Sequence, residues 1–282
     1  MARSPATPTR TFSLGHSPDP DDAFMHFGLA SGRVETPGMA FEQVITDIET
    51  LNRRAEAGDL DETAISFHAY AFVRDRYLLL PHGGAMGEGY GPVVVSRRRL
   101  APADLTDARV AIPGERTTAA LALRLLVGPC PTLLVPFDRI PAAVLSGEAD
   151  AGVLIHEGQL TYAGQGLHKV LDLGHLWKEE TGLPLPLGGN AVRRDLGEWI
   201  PRIRDAFRRS IAFGLAHRDE ALTYALRFAR GLSRDQADRF VGLYVNDSTL
   251  DFGESGRRAI ATLYRRAAEA GLLPAFEPEF AD

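Results

Sequence analysis

Short apolar runs alternate with helix-forming stretches of about ten residues along most of this chain, and that alternation admits few folds. Residues 11–15, 41–45 and 63–67 read as strands, and residues 23–31 and 47–57 between them read as helices. Asp21 or Asp22 suits the N-cap of the first helix, and Gly58 suits the residue just past the end of the second. A helix over 69–76 comes next, and strands over 77–81 and 92–96 bracket a glycine-rich loop at 82–91. Strands at 109–112, 132–136, 151–155, 170–173 and 185–191 then alternate with helices at 117–127 and 139–146. The rest, from 194 to about 271, reads as helices over 197–217, 218–230, 233–245 and 253–270. The expected class is α/β, built from βαβ units with largely parallel sheets.

A length of 282 residues exceeds what one core usually supports, so two lobes are expected. Residues 97–186 read as an insertion with its own sheet, and 1–96 together with 187–282 form the first lobe. Residues 92–96 and 187–192 would be the crossing strands. Two α/β lobes joined by two crossings make a hinged clamp with its ligand cleft between the lobes.

Bulk chemistry excludes several classes of function. A formal net charge of -6 argues against nucleic acid or an anionic membrane surface as partner. The single cysteine, Cys130, excludes an internal disulfide and a cysteine-rich metal site. There is no apolar run long enough to span a membrane, and residues 1–10 lack the apolar stretch of an export signal, so a cytoplasmic protein is expected.

Three places could carry chemistry. Gly147-Glu148-Ala149-Asp150-Ala151-Gly152-Val153-Leu154-Ile155-His156-Glu157 ends an apolar strand in an imidazole, and strand ends of open α/β folds face the ligand crevice. His156 is therefore either a base or a corner-filling side chain. Pro113-Gly114-Glu115-Arg116-Thr117-Thr118 opens a helix whose free N–H groups suit a carboxylate or phosphate, with threonine hydroxyls as extra donors, unless one threonine is only an N-cap. No Gly-Lys-Ser/Thr follows, so it is not a nucleotide-binding P-loop. Ser66 closes the strand Ala64-Ile65-Ser66, with its hydroxyl and backbone facing the crevice or serving as a cap; no G-x-S-x-G elbow surrounds it. The loop Pro18–Asp22, with His16 and His26 nearby, has ligands for a hard metal ion, but Asp-Pro-Asp-Asp before a helix is also plain turn and cap chemistry, so no metal is assigned. The glycine loop lacks the strand and helix flanks of a dinucleotide site, and the arginines at 97–99 read as a solvated face.

Longer stretches go further. Asp47-Ile48-Glu49-Thr50-Leu51-Asn52-Arg53, Val73-Arg74-Asp75-Arg76-Tyr77, Thr117-Thr118-Ala119, Ile155-His156-Glu157, Thr181-Gly182-Leu183-Pro184-Leu185-Pro186-Leu187-Gly188 and Tyr244-Val245-Asn246 occur in order, nearly end to end. With them the chain resembles the 1,4-dihydroxy-6-naphthoate synthase family (MqnD type) of the futalosine route to menaquinone. The resemblance implies a two-lobe periplasmic-binding-protein-like (type II) fold. It also implies a lyase that cleaves cyclic dehypoxanthinylfutalosine to 1,4-dihydroxy-6-naphthoate and dihydroxyacetone, with no cofactor and a small-molecule carboxylate as substrate. Carried over by motif, His156 is the catalytic base, and Ala64, Ile65, Ser66, Thr117, Thr118, Ala119 and Asn52 contact the substrate. The alternative is a cytoplasmic solute-binding or sensor protein that kept the clamp without the catalysis. One departure stands out: family members usually carry Ser-Pro-Cys-Pro-Asn-Asp-Thr-Phe where this chain has Ser17-Pro18-Asp19-Pro20-Asp21-Asp22-Ala23-Phe24. Extra negative charge there should weaken a carboxylate ligand unless those side chains are paired or turned away.

Overall fold

The computed structural model describes residues 9–229 and 232–282. Its strands in chain order are β1 (Arg10–His16), β2 (Met39–Ile45), β3 (Glu62–Ser66), β4 (Tyr77–Leu79), β5 (Ala85–Gly87) and β6 (Val93–Ser96), then β7 (Val110–Ile112), β8 (Thr132–Leu134), β9 (Ala151–Leu154), β10 (His168–Asp172) and β11 (Leu185–Arg193). They form two sheets. One is six-stranded in the order β2-β1-β3-β11-β4, with β5 also paired to β11; the other is five-stranded in the order β10-β6-β9-β7-β8.

The sheets are mixed, not largely parallel. In the first, β1 runs parallel to β2 and β3, whereas β11 is antiparallel to β3, β4 and β5. In the second, β7 runs parallel to β8 and β9, whereas β6 is antiparallel to β9 and β10. The parallel pairs are the local βαβ repeats that periodicity reveals. The antiparallel ones involve the strands on which the chain arrives from the other sheet, and local pattern says nothing about their direction. One strand also changes place: residues 93–96, expected to stay with the first 96 residues, pair wholly within the second sheet.

Helix boundaries follow their caps. In α1 (Pro20–Ala30) the N-cap is Asp19, earlier than the expected Asp21 or Asp22, because Pro20 presets the first helical φ and leaves both later aspartates in the first turn. In α2 (Ile48–Ala57) the side chain of Asp47 accepts from the Thr50 N–H, and Gly58 closes the helix at φ 75°. The α3 helix (Phe67–Val73) starts directly at the end of β3, and α4 (Thr118–Leu126) is capped by Thr117. Leu173–Thr181, with no counterpart in the sequence reading, is a helix that buries Trp177. The helix expected over 218–230 is Arg218–Ala225 plus a short 3-10 turn, and its expected last residue, Arg230, lies outside the described residues.

The C-terminal helices do not make a separate unit. Ile200–Ala216 packs on α1, where the Ser210 hydroxyl donates to the Met25 carbonyl at 2.7 Å and accepts from the Leu29 N–H. Phe12, Phe24 and Phe207 are fully buried in that layer. A second core joins the two sheets: Tyr70, Tyr77 and Tyr264 from one side pack in one continuous cluster with Val94, Val110, Leu121 and Trp177 from the other. A third, around Val95, Ile140 and Val144, backs the five-stranded sheet. Among the described residues no helix is long and apolar enough to cross a membrane.

Candidate functional site

The two sheets face each other across a cleft lined from both sides by Ser17, Asp21, Ala64, Ile65, Ser66, Thr117, Thr118, Ala119, His156, Gln159 and Tyr244, among others. Seven of the eight residues singled out from sequence thus meet in one cavity. The eighth, Asn52, sits fully buried behind it.

Asn52 acts on the wall. Its Oδ1 accepts from the Ser66 N–H at 2.9 Å, and its Nδ2 donates to Ser66 Oγ at 3.1 Å. The backbone N–H of Ser66 is therefore not available to a ligand, contrary to the strand-end expectation. The amide of Asn52 uses it to fix the serine, and because Oγ accepts from Asn52, its own proton is directed elsewhere.

The α4 N-terminus divides its groups in a similar way. Thr117 Oγ1 accepts from the Ala120 N–H at 3.2 Å and donates to the Gly114 carbonyl at 2.8 Å. It is a cap with no donor to spare, the alternative that the sequence left open for one of the two threonines, and its hydroxyl is not offered to a ligand as the family motif implied. Thr118 Oγ1 accepts from the His68 N–H at 3.2 Å and keeps its own proton. The N–H groups of Thr118 and Ala119 take no partner inside the first turn of a helix, where N–H groups are left over by geometry. Two free N–H groups, the Thr118 hydroxyl and the Ser66 hydroxyl make a four-donor cradle, and no acidic residue lies in that first turn.

Opposite the cradle, His156 stands two residues beyond the end of β9 at φ 53°, the only described non-glycine residue with positive φ. A backbone held there is strained by about 1–3 kcal/mol, and such strain concentrates at functional sites. The ring meets the edge of Phe137, with centroids 5.1 Å apart, and its Nδ1 lies 3.1 Å from Asp19 Oδ2. Asp19 comes from the acidic loop, on the far side of the cleft.

That loop is paired within itself. The Ser17 hydroxyl donates to Asp19 Oδ2 at 2.6 Å, and the Ser17 N–H donates to Asp22 Oδ2 at 2.9 Å. Asp21 is buried and its carboxyl is pushed well above the ordinary range, by desolvation first and then by the neighbouring Asp22 and Asp19. Desolvation likewise raises Asp22. Instead of flanking a metal ion, His16 and His26 stack on each other with centroids 4.5 Å apart, and burial together with His16 pushes His26 well below its usual range. Among the described residues no group of three His, Cys, Asp or Glu side chains could hold a metal.

The cleft is closed by contacts across its rim. The Arg116 N–H donates to Glu49 Oε2 at 3.1 Å, and Arg116 Nε pairs with Glu56 Oε1 at 2.6 Å. A Cβ at 114 would lie 2.3 Å from Glu49 Oε2, so any larger residue there would have to displace the Glu49 side chain. The ring of His68 meets the Thr117 carbonyl at 3.2 Å, and burial pushes it down to about 4. At the far end, the Tyr244 hydroxyl lies 2.8 Å from the Gln159 side-chain amide, and burial raises the phenol. Sequence reasoning assigned no role in the site to Gln159, Tyr244 or His68, and read Asp19 and Asp21 as turn and cap chemistry. Asp19 and Asp21 also showed as departures from a motif, and Tyr244 only as part of one.

Comparison with known proteins shows the family and the fold. The sequence pattern of the family described as menaquinone biosynthesis matches residues 12–269. A 1,4-dihydroxy-6-naphthoate synthase of Thermus thermophilus is 48% identical over 269 residues, covering 95% of this chain and 98% of its own. A protein of the same name from Streptomyces coelicolor is 41% identical over 277 residues, covering 95% and 97%. A crystal structure of a protein from Archaeoglobus fulgidus superposes with a TM-score of 0.89 at 48% identity, covering 93% of this chain and 98% of that one. The alkanesulfonate-binding protein of Xanthomonas axonopodis, solved with MOPS bound, has a TM-score of 0.68 at 14% identity, covering 97% and 96%, and so shares the fold alone: that of two-lobe periplasmic binding proteins.

Proposed function

We propose a function from one premise: the chain belongs to the menaquinone biosynthesis family. It is a 1,4-dihydroxy-6-naphthoate synthase, a carbon–carbon lyase that cleaves cyclic dehypoxanthinylfutalosine to 1,4-dihydroxy-6-naphthoate and dihydroxyacetone. The observation that carries this reading is the pairing, in one cleft, of a donor cradle with no acid of its own and a strained imidazole facing it. The cradle formed by Thr118, Ala119 and Ser66 holds the substrate carboxylate, Asn52 fixes Ser66 from behind, and Ala64 and Ile65 flank the ring system. His156, neutral, takes a proton from a sugar-ring hydroxyl; retro-aldol cleavage then releases the three-carbon piece, and aromatisation drives the product side.

The two sheets are read as the lobes of a clamp, 1–96 with 187–282 and 97–186, with Val93–Ser96 counted in the second. Closure excludes water and brings the base to the ring. We read the protein as cytoplasmic, which its likeness to biosynthetic enzymes supports. The solute-binding alternative rests only on a fold likeness at 14% identity, whereas named synthases are 41% and 48% identical.

The test is His156→Asn. The variant should fold and bind cyclic dehypoxanthinylfutalosine with near-normal affinity by calorimetry, while turnover followed by mass detection of the naphthoate falls by about 10³-fold or more. Turnover at the wild-type rate would sink the mechanism.

A further inference from the structure

The acidic loop is the largest departure from the family pattern, and the structure brings one of its carboxylates onto the histidine. We propose that Asp19 is the positioning residue of His156, holding the imidazole by Nδ1 across the cleft so that Nε2 is the bare, basic nitrogen. The catalytic consequence rests on the lyase reading; the tautomer does not.

Four observations carry it. Asp19 Oδ2 lies 3.1 Å from Nδ1, within hydrogen-bond reach. The carboxylate is 1% exposed and is itself held by the Ser17 hydroxyl at 2.6 Å, so the acceptor has a fixed place. Asp19 holds the N-cap position of α1 without a side-chain cap hydrogen bond, and the N-terminal end of a helix favours negative charge at that point. And the ring packs against Phe137 in a T-shaped contact, with the backbone of His156 itself held at φ 53°. A carboxylate oxygen only accepts, so a neutral imidazole facing it carries its proton on Nδ1, and the lone pair is left on Nε2. Asp19 belongs to one side of the cleft and His156 to the other, so opening the cleft parts the pair. The base is aligned only in the closed protein.

The experiment reads the tautomer directly. Imidazole ¹⁵N shifts of labelled full-length protein are recorded for wild type, Asp19→Cys (the residue the family usually carries there) and His156→Asn, which assigns the resonances. Wild type should show a neutral His156 protonated on Nδ1. In Asp19→Cys that preference should be lost, and kcat should fall about 10- to 100-fold while KM stays within roughly twofold. Protonation on Nε2 in wild type overturns the proposal without any variant, as does an unchanged tautomer in Asp19→Cys with unchanged kcat. If wild type shows the Nδ1–H form and Asp19→Cys loses it, but neither protein cleaves the substrate, the pair stands and the lyase reading falls. If wild type cleaves it and Asp19→Cys matches in both tautomer and rate, the pair falls and the lyase reading stands.

Discussion

Two helices point their N-termini into the same cleft, and their electrostatics are opposite. The first turn of α1 carries Asp21 and Asp22 behind an Asp19 cap, so its partial positive charge is met by its own side chains. The first turn of α4 carries no acid, only Thr117 capping and Thr118 and Ala119 with N–H groups to offer. A helix N-terminus is thus an anion site only when the chain leaves it unfilled. Filled, it becomes a place to hold a carboxylate for another purpose, here beside His156. The negative charge at 19–22 also does not confront a ligand carboxylate in the way the sequence suggests. Asp19 and Asp22 are engaged with Ser17, and Asp21 is pushed toward its neutral form.

The sharpest way to break this contrast is to make α4 resemble α1. Thr118→Asp keeps an acceptor for the His68 N–H but puts a charge where the substrate carboxylate should lie. Affinity for cyclic dehypoxanthinylfutalosine should drop about 100-fold by calorimetry, close to 2.7 kcal/mol. Unchanged affinity would move the carboxylate elsewhere.

A smaller effect is expected where the two sides are tied together. His68 is buried against the Thr117 carbonyl with its folded value lowered to about 4, below the ordinary value of about 6.5. Its neutral form is the one the fold accepts. The stability it confers is therefore complete above pH about 6.5 and is lost as pH falls toward 4. His68→Gln should lose less stability than wild type between pH 7 and 4.5, by about 2 kcal/mol, in urea unfolding at the two pH values. Parallel losses would mean that the ring does not titrate against the fold.

The smallest effect lies in α1. The folded value of Asp21 is raised, so the stability tied to its protonated form is complete below pH about 3.9 and is lost as pH rises. Asp21→Asn should match wild type at acid pH and exceed it by about 1 kcal/mol near pH 8, a rise in Tm of about 2–4 °C. A variant destabilised at pH 8 would show that Asp21 is held as a useful charge, and would weaken the account of α1.

How far the sequence could be read depended on whether a signal was local. The β1–α1–β2–α2–β3 repeat announces itself by period, and Asp47, Gly58 and Thr117 sit where cap chemistry puts them. Strand direction in β6 and β11 did not show, because it depends on where the chain comes from, not on which residues the strand contains. In the site, His156, Ser66 and the Thr117–Ala119 stretch were legible from strand ends and a helix start, helped by family motifs. Gln159 was not, since it lies on a four-residue helical turn with no period to read, and Tyr244 showed only as part of a motif on a helix whose pattern reads as ordinary packing.

By itself, then, the sequence determined the α/β alternation, some of the helix caps, the family motifs and most of the residues that would meet in a cleft. Each of these rests on chemistry within a few positions of chain. Only the tertiary structure decided which donors remain free. It showed Asn52 occupying the Ser66 N–H and Gly114 occupying the Thr117 hydroxyl, and left Thr118 and Ala119 open. It also decided the partner of His156. Asp19 and His156 are far apart in sequence, and a 3.1 Å contact between them depends on two sheets closing on one cavity, a geometry no spacing of residues along the chain encodes.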